Sequence, residues 1–303
     1  MKADTVKSHR ERVLRVLVEI ESNLSADLTL ETLSRQGNFS PYHFHRVFRA
    51  LVGESLKDYV RRLRLERAAH ELTFSARSII GLALDAGYET HESFTRAFRA
   101  AFGRSPSAYR KTHAQSQSKS APSQTVKPSE YRPSPSELRS ANAPPCPGRI
   151  ERLPRLRVAF IRHVGPYENV PMVFERLQCW AREQQAKPID LMLLGIAHDN
   201  PYLTSPDKLR FDCCALIDAT IKAEGEIGVR EIGGDLYAVK THYGSFETLA
   251  ESYRWMVREF LPSSGLRLRN APAIEIYLSP PESTQPEDLL TDVLLPVEKS
   301  PLN

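Results

Sequence analysis

Four cysteines in 303 residues, Cys146, Cys179, Cys213 and Cys214, fit no zinc-ligand spacing. Cys213 and Cys214 sit side by side in a strand-like run and are expected to be small buried hydrophobes. Long apolar runs are also missing. The longest, Leu191–Ala197, is far short of the roughly 20 residues that cross a bilayer. No signal-peptide pattern is visible at the start. These absences predict a soluble, cytoplasmic chain without a membrane partner. His43, His70 and His113 have no second ligand at metal spacing, and no Ser/His/Asp set is evident. Neither a metal nor any other cofactor is expected, and the chain reads as a non-enzyme. A strong charge of one sign is lacking too, because the formal net charge is only +4. That charge is divided unevenly. Residues 1–113 carry 19 Lys/Arg against 13 Asp/Glu, while residues 149–303 carry 18 against 22. A basic head and an acidic body confine any polyanionic partner to the head.

What the chain does have is a repeat at a spacing of fifty residues. FHRVFRALVG at 44–53 returns as FTRAFRAAFG at 94–103, and Gly37/Gly87, Ser40/Thr90, Ser55/Ser105 and Tyr59/Tyr109 keep the same register. Each copy has the parts of a helix-turn-helix. A short apolar helix (Leu28, Leu30, Leu33; then Leu82, Ala83) leads to Gly37 or Gly87, which suits a left-handed turn position. Ser40 or Thr90 then caps a second helix, with Pro41 in the first turn of the earlier copy. Phe44, Val47, Phe48 and Leu51, and their counterparts Phe94, Ala97, Phe98 and Ala101, follow the spacing of a buried stripe. Between the copies, Ser55-x-x-Asp58 predicts a capping box opening a long helix with Tyr59, Leu63 and Leu72 inward. Such a helix would fix the distance between the two units.

The opposite stripes carry Tyr42, His45, Arg46 and Arg49 in one copy and Glu92, Thr95, Arg96 and Arg99 in the other. Arginines on a helix surface are commonly just solvated. Two copies in one register instead suit one regular partner, and the partner that fits is double-stranded DNA. Arginine can fork onto guanine, and Thr, His and Tyr offer hydrogen bonds or contact a thymine methyl. Since N-terminal turns of recognition helices read bases, the expected base-reading residues are Tyr42, His45, Arg46, His91, Glu92, Ser93, Thr95 and Arg96. Arg49, Arg99, Lys57 and Arg61, with Arg62 and Arg64, are expected on phosphates, where contacts set register.

Residues 8–112 resemble the DNA-binding domain of the AraC/XylS-type regulators. The first motif is Ser40-Pro-x-x-Phe-x-Arg-x-Phe followed by Ser. The second runs from Ile79-x-x-Leu-Ala through Gly87-Tyr and Phe94-x-Arg-x-Phe to Gly103-x-Ser-Pro106-x-x-Tyr-Arg110. The resemblance implies that the first turns of both recognition helices read bases, at the positions named above. His91 and Glu92 stand where the family varies, so the operator sequence does not follow. Gly81 falls inside a helix, which costs about 1 kcal/mol relative to Ala.

Ala114–Gly148 is a different polymer, with seven Pro and eight Ser in 35 residues and Val126, Tyr131 and Leu138 as nearly its only large apolar groups. It is expected to be a disordered linker, giving domains 1–113, 114–148 and 149–303. In the last of these, AFIRHVGPYE at 159–168 echoes AVKTHYGSFE at 238–247. Each copy reads as strand, turn and amphipathic helix (Val173, Phe174, Leu177, Trp180; Leu249, Tyr253, Met256, Phe260). His163 and His242 fall at equivalent turns, which suggests structure. Strands follow near Leu191–Ala197 and Phe211–Ile217, then Ala273–Leu278 and Asp292–Val297. The predicted fold is multidomain: an all-α N-terminal domain with two helix-turn-helix units, and an α+β C-terminal domain. The latter has two pseudo-symmetric units whose helices cover one face of an antiparallel sheet.

Alternation in Ile274–Leu278 puts Glu275 and Tyr277 on one face. If the isoleucine face packs on the helices, those two point into a groove between the units. A carboxylate among aromatics attracts cationic, lipophilic ligands, with Tyr167, Phe211 and Tyr243 as expected neighbours and Gly195 at the equivalent place in the first unit. Most glutamates are simply solvated. Residues 150–298, however, resemble the GyrI-like small-molecule-binding domain through His163-Val-Gly-Pro-Tyr167, the duplication and Pro272-Ala-Ile-Glu-Ile-Tyr277. That resemblance implies Glu275 at the bottom of a ligand cleft. The order of the two modules is similar to that of Rob-type regulators, whose linker is much shorter. The expected function is a sequence-specific transcription regulator, leaning to activation, whose C-terminal domain binds an amphipathic cation, with RNA polymerase as a further partner. The alternatives are a C-terminal hydrolase of reactive compounds using Glu275 as base, or a ligand-sequestering module.

Overall fold

The computed structural model describes residues 3–114, 128–131, 148–184 and 192–299. Two compact units are present, one built on Met1–Ala114 and the other on the C-terminal part of the chain. The first is all helix: α1 (Ala3–Ser22), α2 (Leu30–Gln36), α3 (Pro41–Val52), α4 (Leu56–Phe74), α5 (Ile79–Asp85), α6 (His91–Phe102) and α7 (Pro106–Ala114). Side-chain caps start five of them, with Thr29, Ser40, Ser55, Ser78 and Thr90 each accepting from the backbone N–H three residues on. Each cap satisfies a donor that the first helical turn leaves free. The 3.6-residue spacing places Phe44, Phe48, Phe94 and Phe98 wholly inside. Phe48 meets Tyr59 edge-on at 5.7 Å and Phe98 meets Tyr109 at 5.4 Å, so the repeat extends into the packing. Both second helices end on a left-handed glycine, Gly53 and Gly103.

Three details depart from the sequence expectation. Leu51 is 38% exposed, and Ala101 is exposed as well, so the buried stripe of each helix is narrower than its spacing suggested. Gly37 has φ −77°, and the left-handed residue is Asn38 at φ 55°. In the second copy Gly87 itself is left-handed, at φ 82°. The reason is a shift of one residue: Phe39 N–H bonds to Ser34 O, whereas Tyr88 N–H bonds to Ala83 O. Asn tolerates this conformation better than most residues. Gly37 instead leaves room, because a Cβ there would lie 2.9 Å from the Phe39 ring. Gly81 lies in the first turn of α5, with its N–H capped by Ser78.

The second unit is a ten-stranded sheet with helices α8 (Val170–Gln184) and α9 (Leu249–Trp255). Its strands are β1 (Ser129–Glu130), β2 (Arg149–Arg152), β3 (Leu156–Val164), β4 (Leu193–Ala197), β5 (Arg210–Leu216), β6 (Ile227–Ile232), β7 (Leu236–Tyr243), β8 (Leu266–Leu268), β9 (Ala273–Tyr277) and β10 (Leu290–Lys299). Their order is β1-β2-β7-β10-β9-β4-β5-β3-β6, with β8 also on β10. The duplication is visible as β7-β10-β9 facing β4-β5-β3 across a central β9–β4 pair. Each half lends its leading strand to the other: β2 pairs with β7, and β6 lies beside β3.

The expected linker needs a correction at 128–131. Ser129–Glu130 form β1, parallel to β2. Tyr131 is 5% exposed and its hydroxyl donates to Asp292 at 3.0 Å. The buried ring with its buried acceptor and the pairing with β2 tie this short polar segment to the sheet. Residues 115–127 and 132–147, including Cys146, lie outside the described residues, as does Leu191. Cys213 and Cys214 are fully buried, as expected.

Candidate functional sites

In the helical unit the first turns of α3 and α6 point outward. Tyr42, His45, Arg46, His91, Glu92 and Arg96 are exposed, and the Arg46 guanidinium lies over the Tyr42 ring at 5.9 Å. Two of the eight expected base-reading residues are corrected. The Ser93 hydroxyl is half-buried and bonded to Thr90, and Thr95 Oγ1 is buried without a hydrogen-bond partner. A serine near a helix start turns readily to the backbone, as Ser93 does toward Thr90 O, and periodicity cannot show this.

Among the expected phosphate residues, Arg49, Arg99 and Lys57 are exposed, and Arg61 is exposed while paired with Asp58 at 2.7 Å. Arg62 and Arg64 are turned inward. Arg62 lies between Glu54 (2.7 Å) and Glu66 (3.3 Å), and Arg64 donates to Leu24 O and Ala26 O. The acids at 54 and 66 are the signal that spacing alone offered for Arg62. His70 is half-buried with its Nδ1 enclosed, and this desolvation lowers its basicity.

In the sheet unit, the condition set for Glu275 is reversed. Glu275 pairs with Val293 in β10 and shares its face. Val293 packs with Leu249 and Met256 from the α9 side. The helix-covered face therefore carries Glu275 and Tyr277, and Ile274 and Ile276 lie on the other. The groove survives, on the helix face. Glu275 is 7% exposed; Oε1 accepts from Tyr253 Oη (2.7 Å) and Oε2 from Tyr277 Oη (3.0 Å). Burial pushes its carboxyl above the usual range, and the two hydroxyl bonds offset this only in part. Phe174 of α8 meets Tyr277 at 5.4 Å, Phe246 meets it at 5.5 Å, and Tyr167 meets Phe211 at 5.7 Å.

Gly195 stands directly opposite Glu275 in the register. A Cβ there would strike the Phe211 ring and approach Tyr277 Oη to 2.8 Å, so glycine makes the space the two rings occupy. Tyr243 is a correction. Register with Leu290 puts it on the face away from Glu275, and it is 43% exposed. Its place is taken by Tyr253, Phe174 and Phe246, which the sequence reading did not assign to the site. Tyr253 carried a signal, because a tyrosine in an otherwise apolar stripe needs a buried partner for its hydroxyl. His163 and His242 brace equivalent turns through Pro166 O and Ser245 O.

Among the described residues no cluster of His, Cys, Asp and Glu could hold a metal, and no helix is long and apolar enough to cross a membrane. Two copies of an N-capped helix with an exposed basic stripe, followed in sequence by a sheet domain with an aromatic cleft, define a DNA-binding regulator with a small-molecule domain. The model for a helix-turn-helix domain matches residues 33–112, and that for a GyrI-like small-molecule-binding domain matches residues 148–298. Regulatory protein SoxS of Escherichia coli K12 is 33% identical over 103 residues, which is 34% of this chain and 96% of SoxS. The HTH-type transcriptional activator AarP of Providencia stuartii is 38% identical over 98 residues, 32% of this chain and 73% of AarP. The probable transcriptional regulator YgiV of E. coli K12 is 29% identical over 147 residues, 48% of this chain and 91% of YgiV. The chain belongs to the AraC-type transcription regulators, in the Rob-like order with the GyrI-like domain second.

Proposed function

We propose that the protein is a cytoplasmic transcription activator divided into 1–113, 114–148 and 149–303. In this reading α3 and α6 enter successive major grooves, about 34 Å apart along the duplex. Tyr42, His45, Arg46, His91, Glu92 and Arg96 read bases, and Arg49, Arg99, Lys57 and Arg61 hold phosphates. The observation that carries the reading is the pair of helices that are capped alike and each present an exposed arginine, Arg46 or Arg96, one turn in and in one register. Activation is supported by the name of AarP, a transcriptional activator, and RNA polymerase is the downstream partner that an activator needs. The effector is an amphipathic cation held against Glu275 among Phe174, Tyr167, Phe211, Phe246 and Tyr277. A ligand changes transcription only if it binds one state of the regulator better than another.

Selection from a random duplex pool tests the DNA part. An asymmetric site with two short motifs about one turn apart is expected. Arg46→Ala and Arg96→Ala should each lose about 1–3 kcal/mol, each at one motif only. Arg99→Ala should weaken all sequences alike and lower the salt slope by about 1. A steep salt dependence with no enriched motif would mean phosphate binding alone.

A second reading makes the groove hydrolytic, because a carboxyl raised by burial suits a general base. Turnover of a ring-strained substrate, lost in Glu275→Gln, would favour it. Stoichiometric binding without product excludes it for the compound tried.

A further inference from the structure

Helix α4 joins two cores. Its Tyr59, Val60 and Leu63 belong to the core around Val13, Phe44 and Phe48. Elsewhere along its length it packs against α5 and α7 of the second copy. Within the helix stand Arg64 and Arg67, three residues apart and so on one face. Arg64 donates from Nε to Leu24 O and from Nη2 to Ala26 O, both at 2.8 Å. Its Nη1 reaches the second copy, where a Cβ on Gly87 would lie 2.6 Å away. Arg67 spans the same joint, donating from Nη1 to Ser25 Oγ and from Nη2 to Asp85 O, both at 3.0 Å. Arg67 thus bridges the loop that leads into the first helix-turn-helix and the turn inside the second, while Arg64 is bonded to that loop and lies against Gly87 in that turn.

A planar fork with fixed donors holds its partners at one distance and angle, which a flexible ammonium does not. The arrangement occurs once, since fifty residues beyond Arg64 stands Ala114. A contact needed to fold a single copy would be expected in both. One that appears only at the joint serves the joint.

We propose that Arg64 and Arg67 are positioning residues that lock the spacing of α3 and α6, and so set how many base pairs may separate the two half-motifs. The proposal rests on the reading that both helices contact DNA. When two heads act on one duplex, the gain from the second depends on its being held where its motif lies.

The test measures the full-length chain on three duplexes: both half-motifs at the selected spacing, one motif with the other scrambled, and a library of spacers. For Arg64→Ala/Arg67→Ala the isolated motif should bind within about twofold of wild type, while the two-motif site weakens by about tenfold or more. The spacer library should broaden to neighbouring lengths. A variant that keeps the wild-type spacing preference overturns the proposal. So does an equal loss on the one-motif and two-motif duplexes, because the arginines would then support the heads and not the joint. Arg64→Lys/Arg67→Lys retains both charges without the forks and guards against misfolding of the alanine variant. It is expected to broaden the spacer preference too, and an unchanged preference there overturns the idea. Failure of the wild-type chain to bind either motif would instead sink the DNA reading itself.

Discussion

Asp212→Asn is expected to destabilise the C-terminal unit by about 3–5 kcal/mol, the usual result of stranding buried charge. Asp212 is 0% exposed on β5, on the face away from α8 and α9. It accepts from Arg162 Nε (2.6 Å) and Nη2 (2.9 Å), His198 Nε2 lies 2.8 Å away, and Arg230 lies at 3.5 Å. Burial alone would raise its carboxyl, but the Arg162 guanidinium and His198 win and hold it well below the usual carboxylate range. Asparagine has the same volume, yet it removes the counter-charge and turns an NH2 group toward donors. The depressed acidity fixes the sign of the pH effect. The stabilisation is complete above about pH 4, the ordinary carboxylate range, and is lost as pH falls toward the folded value. Both tryptophans, Trp180 and Trp255, lie in this unit, so their fluorescence reports its unfolding alone. A fall in the melting temperature of roughly 10 °C or more is expected at neutral pH. A change under about 2 °C would mean that the arginines are solvated in the folded chain.

Glu275→Gln should move stability and binding in opposite directions. The carboxylate is buried with two tyrosine hydroxyls as its hydrogen-bond partners, and burial raises its pKa. Its folded value lies above its unfolded value. The wild type therefore loses stability as pH rises out of the ordinary carboxylate range toward the folded value, and below that range the group contributes nothing. Glutamine removes this cost. A Tm raised by a few degrees at pH 7–8 and equal to wild type near pH 4 is the expected result. Affinity for a lipophilic cation should meanwhile fall by tenfold or more, since the one acid placed at the centre of the groove is gone. An uncharged isostere of the same ligand should bind both forms alike. If the cation binds Glu275→Gln and wild type equally, the groove selects by shape and the proposed role for the charge is lost.

Much of the molecule follows from sequence alone, because the deciding interactions are local. Ser40 and Thr90 start helices by reaching three residues ahead, the 3.6 period turns Phe44 and Phe94 inward, and residues two apart on a strand share a face. Those rules gave both recognition helices, the second duplication, and the pairing of Glu275 with Tyr277. They could not give what depends on distant chain. Ile274, Glu275 and Ile276 are all buried, so alternation separates two faces of β9 without saying which one the helices cover. The register with Val293 decides that, and it likewise turns Tyr243 away. Arg46 and Arg64 look alike in sequence. Only the carbonyls of Leu24 and Ala26 brought beside Arg64 by folding make it an internal strut, while Arg46 stays exposed. Tyr131 is one aromatic in a Pro- and Ser-rich stretch until Asp292, 161 residues away, supplies the acceptor for its hydroxyl. Periodicity records what a residue does to its own helix or strand, and tertiary structure decides which neighbour receives it.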